Sequence, residues 1–220
     1  MQKTMSVTAI SSMLMLATSA EALQGHGDRE TEGMPEDLNH IRGGLLASEY
    51  AGDRTASKDM PTGLDLAGMY ELGAFGLADH LSLDSQRDPG FVAMGGVQLL
   101  SDQTDQKAGF AGLGMAIDAQ GVLGGQARRY AGLTLEYQHV ESDMGWEVDD
   151  AAPGVRIGTM ERLTPEMFLD TELRYVTGDL DYWGVSGRVN YKLEAQVTGY
   201  GGVQWLDGEL GFEAGARYSF

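Results

Sequence analysis

The chain contains no cysteine, which excludes disulfides, thiolate metal sites and cysteine nucleophiles while leaving the cellular compartment open. Proline is scarce, at 5 of 220 residues, although glycine reaches 32, about twice its usual share; a collagen-like or proline-rich disordered chain is thereby excluded. No apolar run attains the roughly 18 residues that a membrane-spanning helix requires. Basic side chains are few: 15 Lys and Arg stand against 33 Asp and Glu, a net charge of −18. That balance argues against any role that neutralises nucleic-acid phosphates. There is no phosphate-cradling Gly-Lys-Ser/Thr loop, no D-x-D-x-D-G calcium loop and no basic aromatic patch.

Taken alone, these absences suit a soluble acidic protein with length for one domain or two small ones. The two ends of the chain point elsewhere. Lys3 precedes the apolar stretch from Met5 to Ala17, which is followed by Thr18-Ser19-Ala20-Glu21-Ala22. A basic start, a short apolar segment and the small-residue pair Ala20 and Ala22 form a secretory signal, with cleavage expected after Ala22. The alternative is a buried first helix. Removing residues 1–22 takes one base (Lys3) and one acid (Glu21), so the mature chain keeps its −18. At the other end, Leu210, Phe212, Ala214, Ala216, Tyr218 and Phe220 alternate with Glu213, Arg217 and Ser219. A period of two is a strand with one apolar face. Its close on Tyr218 and Phe220 resembles the assembly signal of bacterial outer-membrane β-barrels.

The same alternation recurs upstream in segments of about ten residues, the length a tilted membrane strand needs. Residues 196–205 set Val197, Val203 and Trp205 against Thr198, Tyr200 and Gln204. Residues 182–192 set Trp183, Val185, Val189 and Tyr191 against Ser186, Arg188, Asn190 and Lys192. Residues 167–177 set Met167, Leu169, Leu173 and Tyr175 against Asp170, Glu172 and Arg174. Further segments lie at 153–163, 129–140, 107–118, 90–101, 65–77 and 41–50. The fold expected is all-β: a transmembrane antiparallel up-and-down barrel of about ten strands, or eight if the first two segments are not strands. It spans residues 41–220, after a polar, flexible periplasmic tail over 23–40.

Bacterial barrels keep their short turns in the periplasm. Counting back from a last strand that ends there puts 193–195, 164–166, 119–126 and 78–89 inside. The segments 206–208, 178–181, 141–152, 102–106 and 51–64 then lie outside. The run 141–152 is the longest well-defined outer loop, with acids at Glu141, Asp143, Glu147, Asp149 and Asp150 and no base. Prolines 35, 61, 89, 153 and 165 all fall in or beside these connections, where a missing amide donor is harmless. The inward faces carry Glu136, Asp170, Glu172 and Glu213 with Arg156, Arg174, Arg188 and Arg217. Buried charges demand partners, so these eight are expected to form a lumen charge network in a plugged or narrowly wetted barrel. Glycines such as Gly95, Gly96, Gly112, Gly114, Gly201 and Gly202 relieve crowding on curved strands and mark bends. Tyr130, Tyr137, Trp146, Tyr175, Tyr182, Trp183, Tyr191, Trp205, Tyr218 and Phe220 lie mostly near strand ends, where interfacial girdles belong.

On these features the chain resembles small outer-membrane barrels of the OmpA/OmpX type. It is more narrowly similar to the YfaZ-like family. Leu64-Asp-Leu-Ala-Gly-Met-Tyr70, Gly90-Phe-Val-Ala-Met-Gly-Gly96, Gly109-Phe-Ala-Gly-Leu-Gly114, Leu133-Thr-Leu-Glu-Tyr137 and the hairpin from Val155-Arg-Ile-Gly to Glu172-Leu-Arg-Tyr175 carry that similarity over residues 64–176. The chain departs from the family pattern in an extra hairpin, 182–205. The family supplies no activity to carry over.

Catalytic chemistry finds little support. His26 and His40 fall in the tail and are read as solvated; His80 lies in a turn near Asp79 and Asp84. His139, followed by Glu141, Ser142 and Asp143, stands where a lipid-modifying enzyme would place its set, but its phase points to the lipid side. Asp149, Asp150, Asp179, Asp181 and Asp207 are loop acids abundant by composition. The expected function is a non-enzymatic outer-membrane barrel, structural or narrowly permeable, with acidic loops and no cofactor. Its expected partners are outer-membrane lipid, lipopolysaccharide reached through divalent ions, periplasmic chaperones and the barrel-assembly machinery; nucleic acid is not among them, and the barrel is expected to be a monomer. Two alternatives stay open: a soluble periplasmic barrel binding an apolar ligand, and an outer-membrane hydrolase of lipid A or peptides.

Overall fold

A computed structural model describes residues 38–48, 62–73, 90–101, 104–142, 147–178, 181–207 and 209–220. The signal segment with Ala20 and Ala22, residues 23–37 of the tail, His26, His80, Trp146 and the connections 51–61 and 78–89 lie outside them. The described chain is ten strands: β1 (His40–Ser48), β2 (Thr62–Gly73), β3 (Gly90–Ser101), β4 (Thr104–Gln120), β5 (Gln126–Ser142), β6 (Glu147–Arg162), β7 (Met167–Val176), β8 (Tyr182–Lys192), β9 (Val197–Leu206) and β10 (Glu209–Ser219). Each pairs antiparallel with its sequence neighbours, and β1 pairs β10 from His40↔Ser219 to Ser48↔Gly211. The sheet is closed. An eight-strand barrel is thereby excluded, because the two glycine-rich segments at the start form the seam.

Alternation fixes the faces. Outward positions on β7 to β10 read Met167, Leu169, Thr171, Leu173, Tyr175; Trp183, Val185, Gly187, Val189, Tyr191; Val197, Gly199, Gly201, Val203, Trp205; and Leu210, Phe212, Ala214, Ala216, Tyr218. None is charged. The bulky outward side chains are the exposed ones, Leu133 at 72 % and Leu113 at 64 % among them. A sheet closed in this sense has its apolar face outside and its polar face within.

The outer band is edged by rings. Trp183 and Trp205 meet edge to face at 4.7 Å beside Tyr175 at one end, while Tyr218 and Tyr70 flank Phe220 at the other. Tyr130 and Tyr182, expected in these girdles, instead point inward and are buried, because even positions on β5 and β8 face the lumen.

The connections differ from expectation in ways the ladder explains. The run 141–152 is mostly strand: β5 continues to Ser142 and β6 begins at Glu147, paired Glu141↔Glu147 and His139↔Asp149. β7 stops at Val176, opposite Gly154, so β5 and β6 stand above it as a hairpin. Pro153 lies within β6, paired with Leu135, and not in a loop. A residue's amide and carbonyl point to the same neighbouring strand. The Pro153 carbonyl accepts from the Thr177 amide (3.1 Å) and hydroxyl (3.0 Å) just past the end of β7, so the missing donor falls where the β6–β7 ladder has stopped. The turn expected over 119–126 tightens to 121–125, and the starts of β4 and β2 take over Thr104 and Thr62 from the expected loops.

The boundary of the tail also shifts. Leu38 is fully buried and His40 opens β1 with its ring turned inward. His40 is therefore not a solvated tail residue; its Nδ1 lies 2.9 Å from the Leu38 carbonyl oxygen. Asn39 ties the seam, its side-chain oxygen accepting from the Glu71 amide (2.6 Å) and its carbonyl from the Phe220 amide (3.2 Å).

Candidate functional site: the lumen

The lumen is layered along its axis. At the end that holds both strand termini, Arg128 of β5 joins Asp118 of β4 at 2.7 Å and Glu71 of β2. Above this rim lies an apolar floor of Leu38, Met69, Val92, Met94, Ala116, Tyr130, Met160 and Phe168. Strands β2 to β7 supply these side chains, apart from Leu38. The opposite wall at that level carries His40, Asn190, Thr198 and Arg217, all buried. Arg217 reaches across, with its guanidinium 5.0 Å from the Phe168 ring and Nη1 3.1 Å from Met160 Sδ.

The next layer is ionic. Arg156 holds Glu136 through Nε at 2.9 Å and Nη2 at 3.0 Å, and Glu172 through Nη1 at 2.9 Å. The Phe110 ring lies 3.5 Å from the same guanidinium, the Thr134 hydroxyl donates to Glu136 at 2.7 Å, and the Tyr130 hydroxyl donates to Glu172 at 2.8 Å. Across the lumen Arg188 lies 2.7 Å from Glu213 and 3.4 Å from Asp170, while Arg42 lies 3.2 Å from Glu213 and 3.6 Å from Asp65. Gln98 donates to Asp65 at 2.9 Å. Each guanidinium thus serves two carboxylates on different strands, which bolts the wall together from inside.

All eight residues singled out from sequence face the lumen. Arg156, Glu136 and Glu172 form one group, and Arg188, Asp170 and Glu213 belong to another. Arg217 sits lower, against the floor. Arg174 sits higher and has no carboxylate within salt-bridge distance among the described residues; its guanidinium lies 5.3 Å from the Tyr182 ring. Sequence reasoning missed Arg42, Asp65, Glu71, Asp118 and Arg128. The alternation that marks them is present, but on β1 and β2 it is thinned by glycine and alanine, and Asp118 and Arg128 fall near a turn.

Room for the large inward side chains comes from inward glycines. A Cβ on Gly158 would stand 2.3 Å from the Tyr130 ring, and one on Gly96 would stand 2.6 Å from Phe110. These two glycines leave space for rings, the relief of crowding expected of Gly96 and found also at Gly158. Above the ionic layer remains a cavity of about 30 Å³, lined by Gln98, Gln106, Gln138, Gln204, Arg174 and Tyr182, enough for about two water molecules. His139 faces outward on β5, between Lys107 and Asp149, with Nδ1 3.8 Å from Glu147.

The ladder and its faces define the class: a small, closed, antiparallel inside-out β-barrel with a packed ionic lumen. A soluble barrel with an apolar lumen requires the reverse orientation, charges out and apolar side chains in. Solved outer-membrane barrels are similar to this chain in structure. The KdgM porin matches at 10 % identity and TM-score 0.38, covering 82 % of this chain and 99 % of its own. The attachment invasion locus protein Ail of Yersinia pestis matches at 13 % and 0.40, covering 84 % and 100 %. OprG of Pseudomonas aeruginosa matches at 13 % and 0.36, covering 86 % and 98 %. No protein-family model matches the chain, and no curated protein matches it in sequence.

Proposed function

We propose that the chain is an integral protein of the bacterial outer membrane, a monomeric barrel that is structural and sealed, without enzymatic activity. The observation that carries this reading is the pairing of an exposed outer face, free of charge on β7 to β10, with buried arginine–carboxylate clusters inside. In water that arrangement would expose the sheet's entire apolar face; in lipid it removes that face from water and satisfies every backbone group within the closed ladder. The outer rim carries Glu141, Glu147, Asp149, Asp181 and Asp207, all exposed, and is suited to divalent ions that bridge to lipopolysaccharide phosphates.

Two measurements test the reading. The protein should fractionate with outer membranes and migrate differently in detergent gels before and after boiling; extraction into buffer without detergent would refute it. With lipopolysaccharide present, magnesium should raise the temperature of that mobility change and a chelator should reverse the rise. Equal transition temperatures with and without magnesium would remove the bridging role and leave the barrel.

A further inference from the structure

The turn at residues 121–125 does not project straight down from the barrel. Its amides Leu123 and Gly125 donate to the Glu161 carboxylate at 2.7 and 3.2 Å, and a Cβ on Gly121 would overlap that same carboxylate. Glu161 shares the outward face of β6 with Val155 and Ile157. Yet it is only 2 % exposed, and outward Ala127, paired with it, is 1 % exposed. The turn therefore folds back over the outer wall and covers Glu161, with Ala127 enclosed beside it. Its tip presents Val122 at 85 % and Leu123 at 65 % exposure, apolar side chains that a turn in water has no reason to carry. Beside it, in the row Ile117↔Arg129↔Thr159, stands exposed Arg129, anchored by one hydrogen bond (2.9 Å) to the Gln120 carbonyl.

We propose that this turn is a membrane anchor: Val122 and Leu123 enter the periplasmic leaflet at its headgroup boundary, and Arg129 meets the phosphate of a phospholipid there. The site is continuous with the apolar outer band through Leu113, Met115 and Ile117 on β4. A cation one row inside the edge of that band matches the depth at which lipid phosphates replace acyl chains, and a long Arg side chain reaches them while its stem stays in the apolar layer. Glu161, outward yet enclosed, is the clamp that holds the turn in this pose.

This inference rests on the outer-membrane reading, and the test separates the two. The absence of native cysteine permits single nitroxide labels at Val122→Cys, Leu123→Cys, Leu133→Cys on the mid-band and Glu194→Cys at an exposed turn. The labelled proteins are folded into vesicles of phosphatidylethanolamine and phosphatidylglycerol. Labels at 122 and 123 should collide with oxygen in preference to a water-soluble nickel chelate, at a ratio between those at 133 and 194. Glu161→Gln should shift both toward the value at 194. A ratio at 122 and 123 equal to that at 194, with 133 in lipid, overturns the anchor alone; a label at 133 in water overturns the membrane reading itself. Arg129→Gln, folded as judged by the gel shift, should reduce the contrast between phosphorus-containing and phosphorus-free lipid vesicles in the label's phosphate-proximity signal, and no change would remove Arg129 from the proposal.

Discussion

A guanidinium inside a barrel is costly to bury and costly to orphan, and the second cost governs the lumen. Arg156 touches Glu136, Glu172 and Phe110 together. Replacing it with Met keeps much of the volume but leaves two carboxylates without a cation, and removal of one partner from a buried pair typically costs about 3–5 kcal/mol. Arg156→Met should therefore lower the urea midpoint of the barrel refolded in vesicles by that order. The triple variant Arg156→Met, Glu136→Gln, Glu172→Gln should recover most of it, since neutral amides no longer need the charge. An equal loss in both variants would show that the guanidinium contributes by shape and not by pairing. Arg174 offers the contrast: with no carboxylate partner among the described residues, Arg174→Met should cost far less in the same measurement.

At the scale of the strand, the outer face is where alternation meets the bilayer. Leu133 lies mid-band on β5 between Leu113 and Val155, and Leu133→Arg there should cost about 2–4 kcal/mol, the usual penalty for a cation near the midplane. The same change at Lys107's neighbour His139, near the outer end of β5, should cost little. Equal penalties at both positions would place the membrane band elsewhere. The strands themselves were legible because no charged side chain on β7 to β10 breaks the period of two, each falling on the inner face. The hairpin over 141–152 was not: its acids spell a loop, yet His139, Asp149 and the paired Glu141 and Glu147 lie in register beyond the end of β7, where water accepts charge on both faces of a sheet. Pro153, expected where that loop meets a strand, lies inside β6 for the same reason, and only the end of β7, a feature of another strand, makes it harmless there. The lumen was legible where bulky apolar neighbours threw charges into relief, as for Glu172 and Arg174, and obscure where glycine and alanine diluted the pattern, as for Arg42 and Asp65.

Whether a barrel conducts depends on its whole cross-section. Ten strands enclose more room than the eight whose interior side chains nearly fill, yet here Arg, Tyr and Phe set against glycine close the difference. An ion entering from the outer cavity meets the ionic layer first, where Arg42, Arg156 and Arg188 each already serve two carboxylates. It then meets Met69, Met94, Tyr130, Met160 and Phe168, with Arg217 laid over them. Crossing that floor strips most of the ion's hydration, and the buried His40, Asn190 and Thr198 of the opposite wall replace only part of it, an effective penalty of several kcal/mol. The wild-type barrel should consequently stay silent in planar bilayers across a range of salt. Met94→Ala combined with Met160→Ala opens the floor while sparing the rings, and should give ohmic conductance that grows with salt, provided the gel shift shows the barrel intact. Because Arg217 remains over the opening, that current should favour anions, and Arg217→Gln in the same background should abolish the preference. Stepwise conductance in the unmutated protein would mean that the floor parts under voltage, and the sealed reading of the barrel would fall with it.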